Sequence, residues 1–348
     1  MVGKKQRDIR ENNKSLVIDC LLSSEMTTAN LEKQLKLSHT ALLKVINELK
    51  SLNIVRDYDT KHGEKGRPSR VYEINPDCAF AAAICLGEKR IEIFVVDMKG
   101  FQVNKYVSFL TFSSEEEFVL FSLNKLDELL KHERTKNKKL STICISLPFG
   151  CINNADFELT KEYVYKSFKN HFINSEIDIK SNNEFWAHAE RKYGRLKNFS
   201  GGALLCELEG FVSCAFSFNK ECYIGKKAKN NTINKLLSND ICRQLESKIK
   251  EPIDSIIDRY VKNETIIVKL VNEELDGVLF KVKEIASLLD VDIVLFSGML
   301  AKLGNNFFSH VQEIFENQQF DVSPFIDRSP SFAGAVFIAS YDSLKSLL

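Results

Sequence analysis

The chain has 348 residues and is nearly neutral, with 48 Lys and Arg against 47 Asp and Glu. This balance excludes a protein that is basic or acidic throughout, and 44% hydrophobic residues exclude disorder of the whole chain. The length is enough for two or three compact units. Glycine is scarce, at 15 residues, so few flexible backbone loops are available to wrap a phosphate.

No segment predicts export or membrane insertion. The basic stretch at the start of the chain is not followed by an apolar core, and no run of 18 apolar residues occurs. The nine Cys form no C-x-x-C or C-x-C pair. We therefore expect a cytoplasmic protein with reduced, mostly buried thiols and without a membrane contact or a zinc site.

Charge is unevenly distributed along the chain. Residues 1–76 hold 14 basic and 10 acidic residues, whereas the remainder holds 34 and 37. A basic head of net charge +4 thus precedes a body of net charge −3. The turn sequence Asn75-Pro76-Asp77 lies at the same point, so we predict a boundary there.

The head predicts three helices followed by a hairpin, which is the order of a winged helix-turn-helix. Apolar residues at helical spacing predict helix one over Lys14 to Leu22, and Thr28 is a candidate N-cap for helix two. Ser38 is placed to cap helix three. Two short strands, Ile54 to Tyr58 and Arg70 to Ile74, flank a tip that is rich in Lys, Gly and Arg.

The outer side of helix three and the hairpin carry the residues that we expect to contact DNA. The major groove admits one α-helix, and polar side chains near its N-terminus reach base edges. The basic hairpin suits the phosphate backbone or the minor groove. The candidates are Ser38, His39, Thr40, Lys44, Asn47, Lys61, Lys65, Gly66, Arg67 and Arg70. The alternative is a packing helix beside an ordinary solvated loop.

From Cys78 the pattern changes to strand meanders followed by helix and strand units, and it does so twice. This order predicts a two-lobed α/β body. The predicted elements are three strands between Cys78 and Phe112, a helix from Glu115 to His132, strand STICISL, strand Ile177 to Ile179, a helix from Asn183 to Tyr193, strands GALLCEL and FVSCAFSF, helices over Asn239 to Leu289, strand DIVLFSG and a helix from Phe332.

The head resembles the N-terminal module of ROK-family repressors, which regulate sugar metabolism, in the segments RENNKSLVIDCLLSS, LEKQLKLSHTALLKVINELKSLNIVRD and GRPSRVYEINPD. In the body, AAAICLGEKRIEIFVVDMKG, SLPFG, VLFSGMLAKLG and FAGAVFIAS resemble that family's first phosphate hairpin, P-G turn, late glycine strand and C-terminal helix. The resemblance implies an α/β fold: a winged helix-turn-helix on a two-lobed actin-like, hexokinase-like (ribonuclease H-like) ATPase-fold body. We place the head at residues 1–76 and the two lobes at 77–190 and 191–348.

The sequence departs from the pattern of ROK kinases in four places. Cys85 stands where the kinases have an Asp that helps to hold the nucleotide, and Ser181-Asn182 aligns with their catalytic Asn-Asp pair. An amide cannot accept the proton of a sugar hydroxyl, so general-base catalysis is lost. ELEGFVSCAF replaces the glycine-rich turn, and KKAKNNTINKLL replaces the zinc segment without any His or Cys. We expect no enzymatic activity, no cofactor and no metal.

A remnant of the sugar cleft is the candidate effector site. We assign to it Ser181, Asn182, Asn183 and Glu184. His188, beside Trp186, is a weaker candidate that is as well explained by simple burial. The evenly spaced Cys206, Cys214 and Cys222 are interpreted as core residues rather than metal ligands.

These observations predict a sequence-specific DNA-binding regulator that represses carbohydrate-related genes. It would bind a double-stranded operator as a homodimer or higher homo-oligomer and respond to a sugar or sugar phosphate. Two alternatives stay open. One is a ROK-type sugar kinase with a DNA-binding head, and the other is a regulator whose body senses a protein partner.

Overall fold

The structure is a computed structural model, and it describes residues 2–61, 69–87, 90–148, 152, 157–208, 212–218, 221–223 and 241–323, together with 339, 341, 343, 344 and 347. Side chains are described for these residues except 2–8, 59–61, 69 and 221–223. The predicted wing-tip residues Lys65, Gly66 and Arg67 lie outside the described part of the chain. So do most of the predicted C-terminal helix and the segment KKAKNNTINKLL.

The head forms three helices and a small antiparallel sheet in the predicted winged helix-turn-helix order. Its central strand is β3, which pairs with β1 and β2. The elements are α1 (Val2–Ser23), β1 (Met26–Thr27), α2 (Thr28–Leu35), α3 (His39–Ser51), β2 (Val55–Lys61) and β3 (Ser69–Ile74).

Two predicted limits in the head were wrong. Helix α1 begins at Val2 rather than Lys14. The sequence did not predict its first turns, because they are mostly polar and have no apolar periodicity. The cap of α2 is Thr27, not Thr28, and its hydroxyl oxygen accepts from the Asn30 N–H at 3.3 Å.

The body contains two five-stranded sheets with the same strand order. The first lobe has the order β6-β5-β4-β7-β8, and the second has β11-β10-β9-β12-β13. The strands of the first lobe are β4 (Phe80–Leu86), β5 (Ile91–Asp97), β6 (Gln102–Ser108), β7 (Leu140–Leu147) and β8 (Glu176–Ser181). Those of the second are β9 (Ala203–Leu208), β10 (Val212–Phe218), β11 (Glu221–Tyr223), β12 (Ile293–Ser297) and β13 (Phe320–Val322).

The pairing pattern is also repeated. In each sheet the first three strands along the chain are antiparallel, and the fourth and fifth join in parallel. The parallel strands require helical crossovers, which cover the sheet faces. The helices of the body are α4 (Glu115–Leu129), α5 (Phe157–His171), α6 (Asn182–Tyr193), α7 (Ile241–Ile249), α8 (Ile253–Val261), α9 (Thr265–Leu288) and α10 (Asn305–Phe315), with a 3₁₀ turn at Met299–Leu303. The predicted two-lobed α/β body is therefore confirmed.

Some helices differ from the prediction. Helices α5 and α10 were not predicted, and the helices predicted over 239–289 without internal limits are three in number within the described residues. Lys250 and Asn263 have φ angles of 60° and 62°, and this left-handed backbone ends α7 and α8. Between α7 and α8, Pro252 directly precedes the first turn of α8, where its missing N–H costs no helical hydrogen bond.

Strand β4 is buried on both faces and separates two apolar clusters. Phe80, Ala82, Ile84 and Leu86 pack under α4 and α5. The alternate residues Ala81 and Ala83 belong to a second cluster that includes the core of the head and also Ala339 and Leu344. The head and the first lobe therefore share one continuous apolar interior rather than meeting through a polar contact alone.

Within the described residues, no helix is long and apolar enough to cross a membrane. The described residues also hold no cluster of His, Cys, Asp or Glu arranged for a metal ion. The seven Cys whose side chains the structure describes are all free thiols, and five of them are buried.

Candidate nucleic-acid interface and inter-lobe cleft

Helix α3 is set in place by its caps and by its apolar face. The Ser38 hydroxyl oxygen accepts from the Ala41 N–H at 3.3 Å, which satisfies one free donor of the first turn. Lys36, with φ of 53°, makes the tight turn from α2 and donates its N–H to the Glu32 carbonyl. The residues that fix the helix to the core are the predicted four, Leu42, Val45, Ile46 and Leu49, and all are buried.

The opposite face of α3 is open to solvent and predominantly polar. A shallow groove on this face is lined by His39, Thr40, Leu43, Lys44, Asn47, Glu48 and Ser51. Four of the predicted DNA-binding residues are therefore brought together on one exposed surface. Ser38 lies at its start, but its oxygen is engaged in the cap. Leu43, which the sequence also predicts to face outward, lies on this surface too. The prediction missed Glu48 and Ser51, although their spacing along the helix places them on this face.

Two acidic side chains, Glu32 and Glu48, pair with basic side chains at this face. Glu32 of α2 contacts the His39 ring, with Oε1 2.5 Å from Nδ1. Glu48 receives the guanidinium of Arg10 from α1, with Nε 2.8 Å from Oε2, and its carboxylate lies 3.7 Å from the Lys14 ammonium. The hydrogen bond from Arg10 lowers the pKa of Glu48, so this carboxylate is charged at neutral pH. The sequence prediction did not include Arg10, which lies 38 residues from its partner.

The wing is the hairpin of β2 and β3. Arg70 pairs with Thr60 across the strands and is exposed, while Lys61 is the last residue of β2 and pairs with Ser69. An irregularity in register lies between Asp57 and Asp59. The two predicted basic residues that the structure describes thus flank the tip, whose own candidates lie outside the described residues.

Ion pairs join the head to the first lobe. The Lys99 ammonium, in the turn after β5, donates to Glu25 at 2.8 Å and to Glu73 at 2.7 Å. Glu73 is buried on β3 and also receives Arg56 at 2.7 Å. Beside them, Arg134 binds both Asp77 and the buried Asp97. These contacts and the shared apolar interior bind the head tightly to one lobe.

The predicted effector residues lie at the carboxyl ends of β4, β7 and β8. Asn182 accepts a hydrogen bond from the Ser146 hydroxyl at 2.6 Å and donates to the Leu86 carbonyl at 3.1 Å. Cys85 is paired in register with Ser146, which also binds Asn182. Two of the four departures from the kinases, at Cys85 and Asn182, therefore lie close together. Burial raises the pKa of the Cys85 thiol well above its ordinary value, so this residue carries no charge there.

Two further effector candidates, Ser181 and Glu184, have structural partners as well. Ser181 and Glu184 form a capping box at the start of α6: the Glu184 carboxylate accepts the Ser181 N–H at 2.8 Å. Burial raises the pKa of Glu184. Ser181, Asn182 and Asn183 are buried and Glu184 is half-buried, so the four candidates lie together but present little open surface. Their role in effector binding stays a prediction.

A polar chain crosses from α6 to the second lobe. The Asn183 amide donates to the Ser213 hydroxyl at 3.0 Å, and that hydroxyl donates to Glu207 at 3.2 Å. Burial raises the pKa of Glu207 to about 7. Asn183 Oδ1 is buried and has no partner among the described residues.

Gly298, directly after β12, occupies a position that requires glycine. Its φ is 94°, and a Cβ there would lie 2.6 Å from the carbonyl oxygen of Leu208 at the end of β9. Only a residue without a side chain allows this close approach of two strand ends. The resemblance of VLFSG to a glycine-bearing strand thus has a packing cause.

Solved structures share this architecture, a winged-helix head on a duplicated, actin-like α/β body, in whole or in part. A structure described as a ROK family transcriptional regulator, homolog of the Escherichia coli MLC protein, matches with a TM-score of 0.74 and 13% identity, covering 97% of this chain and 98% of that one. A ROK hexokinase from Thermus thermophilus matches with a TM-score of 0.56 and 12% identity, covering 75% of this chain and 97% of that one. A ROK glucokinase from Streptomyces griseus, solved with glucose and AMPPNP, matches with a TM-score of 0.57 and 11% identity, covering 75% and 99%.

A scan against protein-family models gives no match, and neither does a sequence search of curated proteins. The chain therefore shares the fold of ROK regulators and ROK kinases at low sequence identity. The predicted fold class and the predicted resemblance are confirmed at the level of the fold. The regulator covers nearly the whole chain, whereas the kinases cover about three-quarters of it.

Proposed function

We propose that this chain is a cytoplasmic, sequence-specific DNA-binding transcriptional regulator that represses carbohydrate-related genes. One observation carries the proposal: the chain matches a ROK regulator over 97% of its length, head included, and the polar face of α3 is exposed on that head. The head is assigned to residues 1–76, and the lobes to 77–190 and 191–348.

The DNA contact is assigned to α3 and the wing. Thr40, Lys44 and Asn47 lie on the exposed face with His39, and a helix docked in the major groove presents such side chains to base edges. In the wing, Lys61, Lys65, Gly66, Arg67 and Arg70 are the proposed phosphate or minor-groove contacts. A homodimer would present two such heads to a palindromic operator.

The body is proposed to sense an effector without phosphoryl transfer. The position of the catalytic Asp in the kinases is taken by Asn182, whose amide is held by Ser146 and the Leu86 carbonyl. A carboxamide is not a general base at neutral pH. The proposed effector is a sugar or sugar phosphate near Ser181 to Glu184.

Selection of bound DNA from a random library tests this function directly. The full chain is incubated with the library alone and with sugars or sugar phosphates, and the recovered sequences are compared. Enrichment of a palindromic sequence is expected. Recovery of no preferred sequence under any condition would overturn the assignment of the head.

A kinase activity is the second candidate, because the body has the fold of ROK hexokinases. A coupled ATPase assay with a panel of hexoses distinguishes the two. Hexose-dependent turnover that disappears in the variant Asn182→Ala would replace the proposal of an inactive body. A regulator that senses a protein partner is recognised by thermal shift, because it gains no stability from any sugar.

A further inference from the structure

The positive charge of the head is concentrated in its first residues. Residues 1–14 contain five basic residues and two acidic ones, whereas residues 15–76 contain nine and eight. Three of the four excess positive charges in the head therefore precede its apolar core. The basic residues are Lys4, Lys5, Arg7, Arg10 and Lys14.

This segment is helical, and none of its described side chains, those of residues 9–14, is buried in the head. Helix α1 runs from Val2, but the first buried residue among its described side chains is Val17. Ile9 and Arg10 are exposed. A helix that is polar on every side gains no stability from burial, so such an extension is typical of a segment that has a partner or is held by charge pairs.

One charge pair fixes the extension beside the face of α3. Arg10 binds Glu48 through two nitrogens, and Lys14 lies 3.7 Å from the same carboxylate. Glu48 borders the groove that also contains Lys44 and Asn47. The α1 extension therefore starts at the edge of the surface that would meet DNA, and its cations neutralise an acid that would repel phosphate.

We propose that residues 2–14 of α1 form a second DNA-binding element, which contacts phosphates beside the site recognised by α3. This inference rests on the proposed function of the head. The occupant is the phosphate backbone of the same duplex, because the segment offers excess positive charge next to α3. A membrane surface is disfavoured, because the segment has no apolar face: Val2 and Ile9 are its only large apolar residues after Met1.

The length of the extension suits this role. From Arg10 back to Val2 the helix rises by about 12 Å, at about 1.5 Å per residue. Duplex DNA presents one charge per about 1.7 Å of its axis, so this length passes about seven phosphates on the two strands. Contacts of this kind add affinity and position the head without reading sequence.

The first experiment removes three charges. The variant Lys4→Gln/Lys5→Gln/Arg7→Gln is compared with Lys131→Gln/Lys136→Gln/Lys138→Gln, which removes three exposed charges from the loop after α4. Affinity of the full chain for the selected DNA is measured over a range of salt concentrations. The α1 variant should lower the slope of log affinity against log salt by about 2 to 3, with sequence preference unchanged, and the loop variant should keep the wild-type slope.

The outcomes separate this inference from the proposed function. If wild-type protein selects DNA but the α1 variant keeps the wild-type slope, the second element does not exist. An equal loss of slope in the loop variant also overturns it, since the effect would then follow net charge alone. A wild-type protein that selects no DNA overturns the proposed function first, and this inference with it.

The second experiment tests the pairing of Arg10 with Glu48. Arg10→Gln removes the two hydrogen bonds to Glu48 and leaves its carboxylate with only the Lys14 ammonium at 3.7 Å, so affinity for the selected DNA should fall about tenfold. Arg10→Gln/Glu48→Gln removes that carboxylate and should recover most of the loss. Unchanged affinity in Arg10→Gln would overturn the proposed placement of the extension.

Discussion

Lys99 of the first lobe donates a hydrogen bond to Glu73 of the head over 2.7 Å. Glu73 lies on the central strand of the winged-helix sheet, and Lys99 lies in the turn that joins two strands of the lobe. A displacement of that turn would therefore be transmitted to the sheet from which the wing extends. This contact joins the first lobe directly to the central strand of the winged-helix sheet.

Lys99→Met should destabilise the protein by about 1 to 3 kcal/mol, because buried Glu73 keeps Arg56 but loses a second cation. Chemical denaturation measures the loss. Lys105→Met, an exposed change on the neighbouring strand, is the control and should be within about 0.5 kcal/mol of wild type. Equal stabilities of the two variants would show that the junction pair contributes nothing.

Lys44→Ala and Arg67→Ala should each weaken binding to the selected DNA and lower its salt slope by about 0.9, as expected for one lost phosphate contact. Gel-shift titration at several salt concentrations measures both quantities. Lys269→Ala, an exposed change on α9, should alter neither. Unchanged affinity in both head variants would contradict the proposed interface.

Asn182→Ala should lower stability by about 2 kcal/mol, because the Ser146 hydroxyl and the Leu86 carbonyl each lose a buried partner. Asn182→Asp should also be less stable, since it sets a carboxylate oxygen against the Leu86 carbonyl oxygen. We expect neither variant to gain hexose-dependent ATP turnover. A gain of turnover in Asn182→Asp would show that only this one group separates the body from a kinase.

Glu190→Ala should be strongly destabilising, by about 3 to 5 kcal/mol. Glu190 is fully buried and accepts hydrogen bonds from the Trp186 indole at 3.0 Å, the Arg195 N–H at 2.8 Å and the Ser323 hydroxyl. The substitution removes the shared acceptor of these three donors and opens a cavity. Thermal and chemical denaturation measure the effect against Glu313→Ala, whose exposed side chain should matter little.

The raised pKa of Glu207, about 7, predicts a pH dependence of stability. The unfolded chain releases this proton near pH 4.5, whereas the folded protein keeps it until about pH 7. Stability should therefore fall as pH rises from about 4.5 to 7 and then level off. Glu207→Gln should remove this component and be more stable above pH 7 by about 1 to 3 kcal/mol. If the two proteins show the same stability profile over this range, the carboxyl does not titrate as stated.

The order of elements in the head could be predicted because each helix has an apolar stripe facing the core, and α2 and α3 begin at recognisable caps. Helix α5 could not be predicted in the same way. Its buried residues Thr160, Val164 and Phe168 are spaced by four, but the exposed Leu159 and Tyr163 mask that stripe. An exposed apolar side chain is common on protein surfaces, so periodicity alone does not tell it from a core residue.

The candidate sites were predictable to different extents. The outward residues of α3 followed from helical spacing, and the structure places them together. The separation of 38 residues between Arg10 and Glu48 left their pairing invisible before folding. The S-x-x-E spacing of Ser181 and Glu184 is a capping-box signal in the sequence, and it explains why these two side chains bind each other rather than line an open cleft.

The apolar interior shared by the head and the first lobe also includes Ala339 and Leu344. During synthesis on the ribosome the head emerges first, and these two residues emerge long after both lobes have been started. The interior next to the head therefore stays incomplete through most of translation. A nascent chain would expose part of this apolar surface until synthesis passes Leu344, so the interior that supports the head is completed only together with the body.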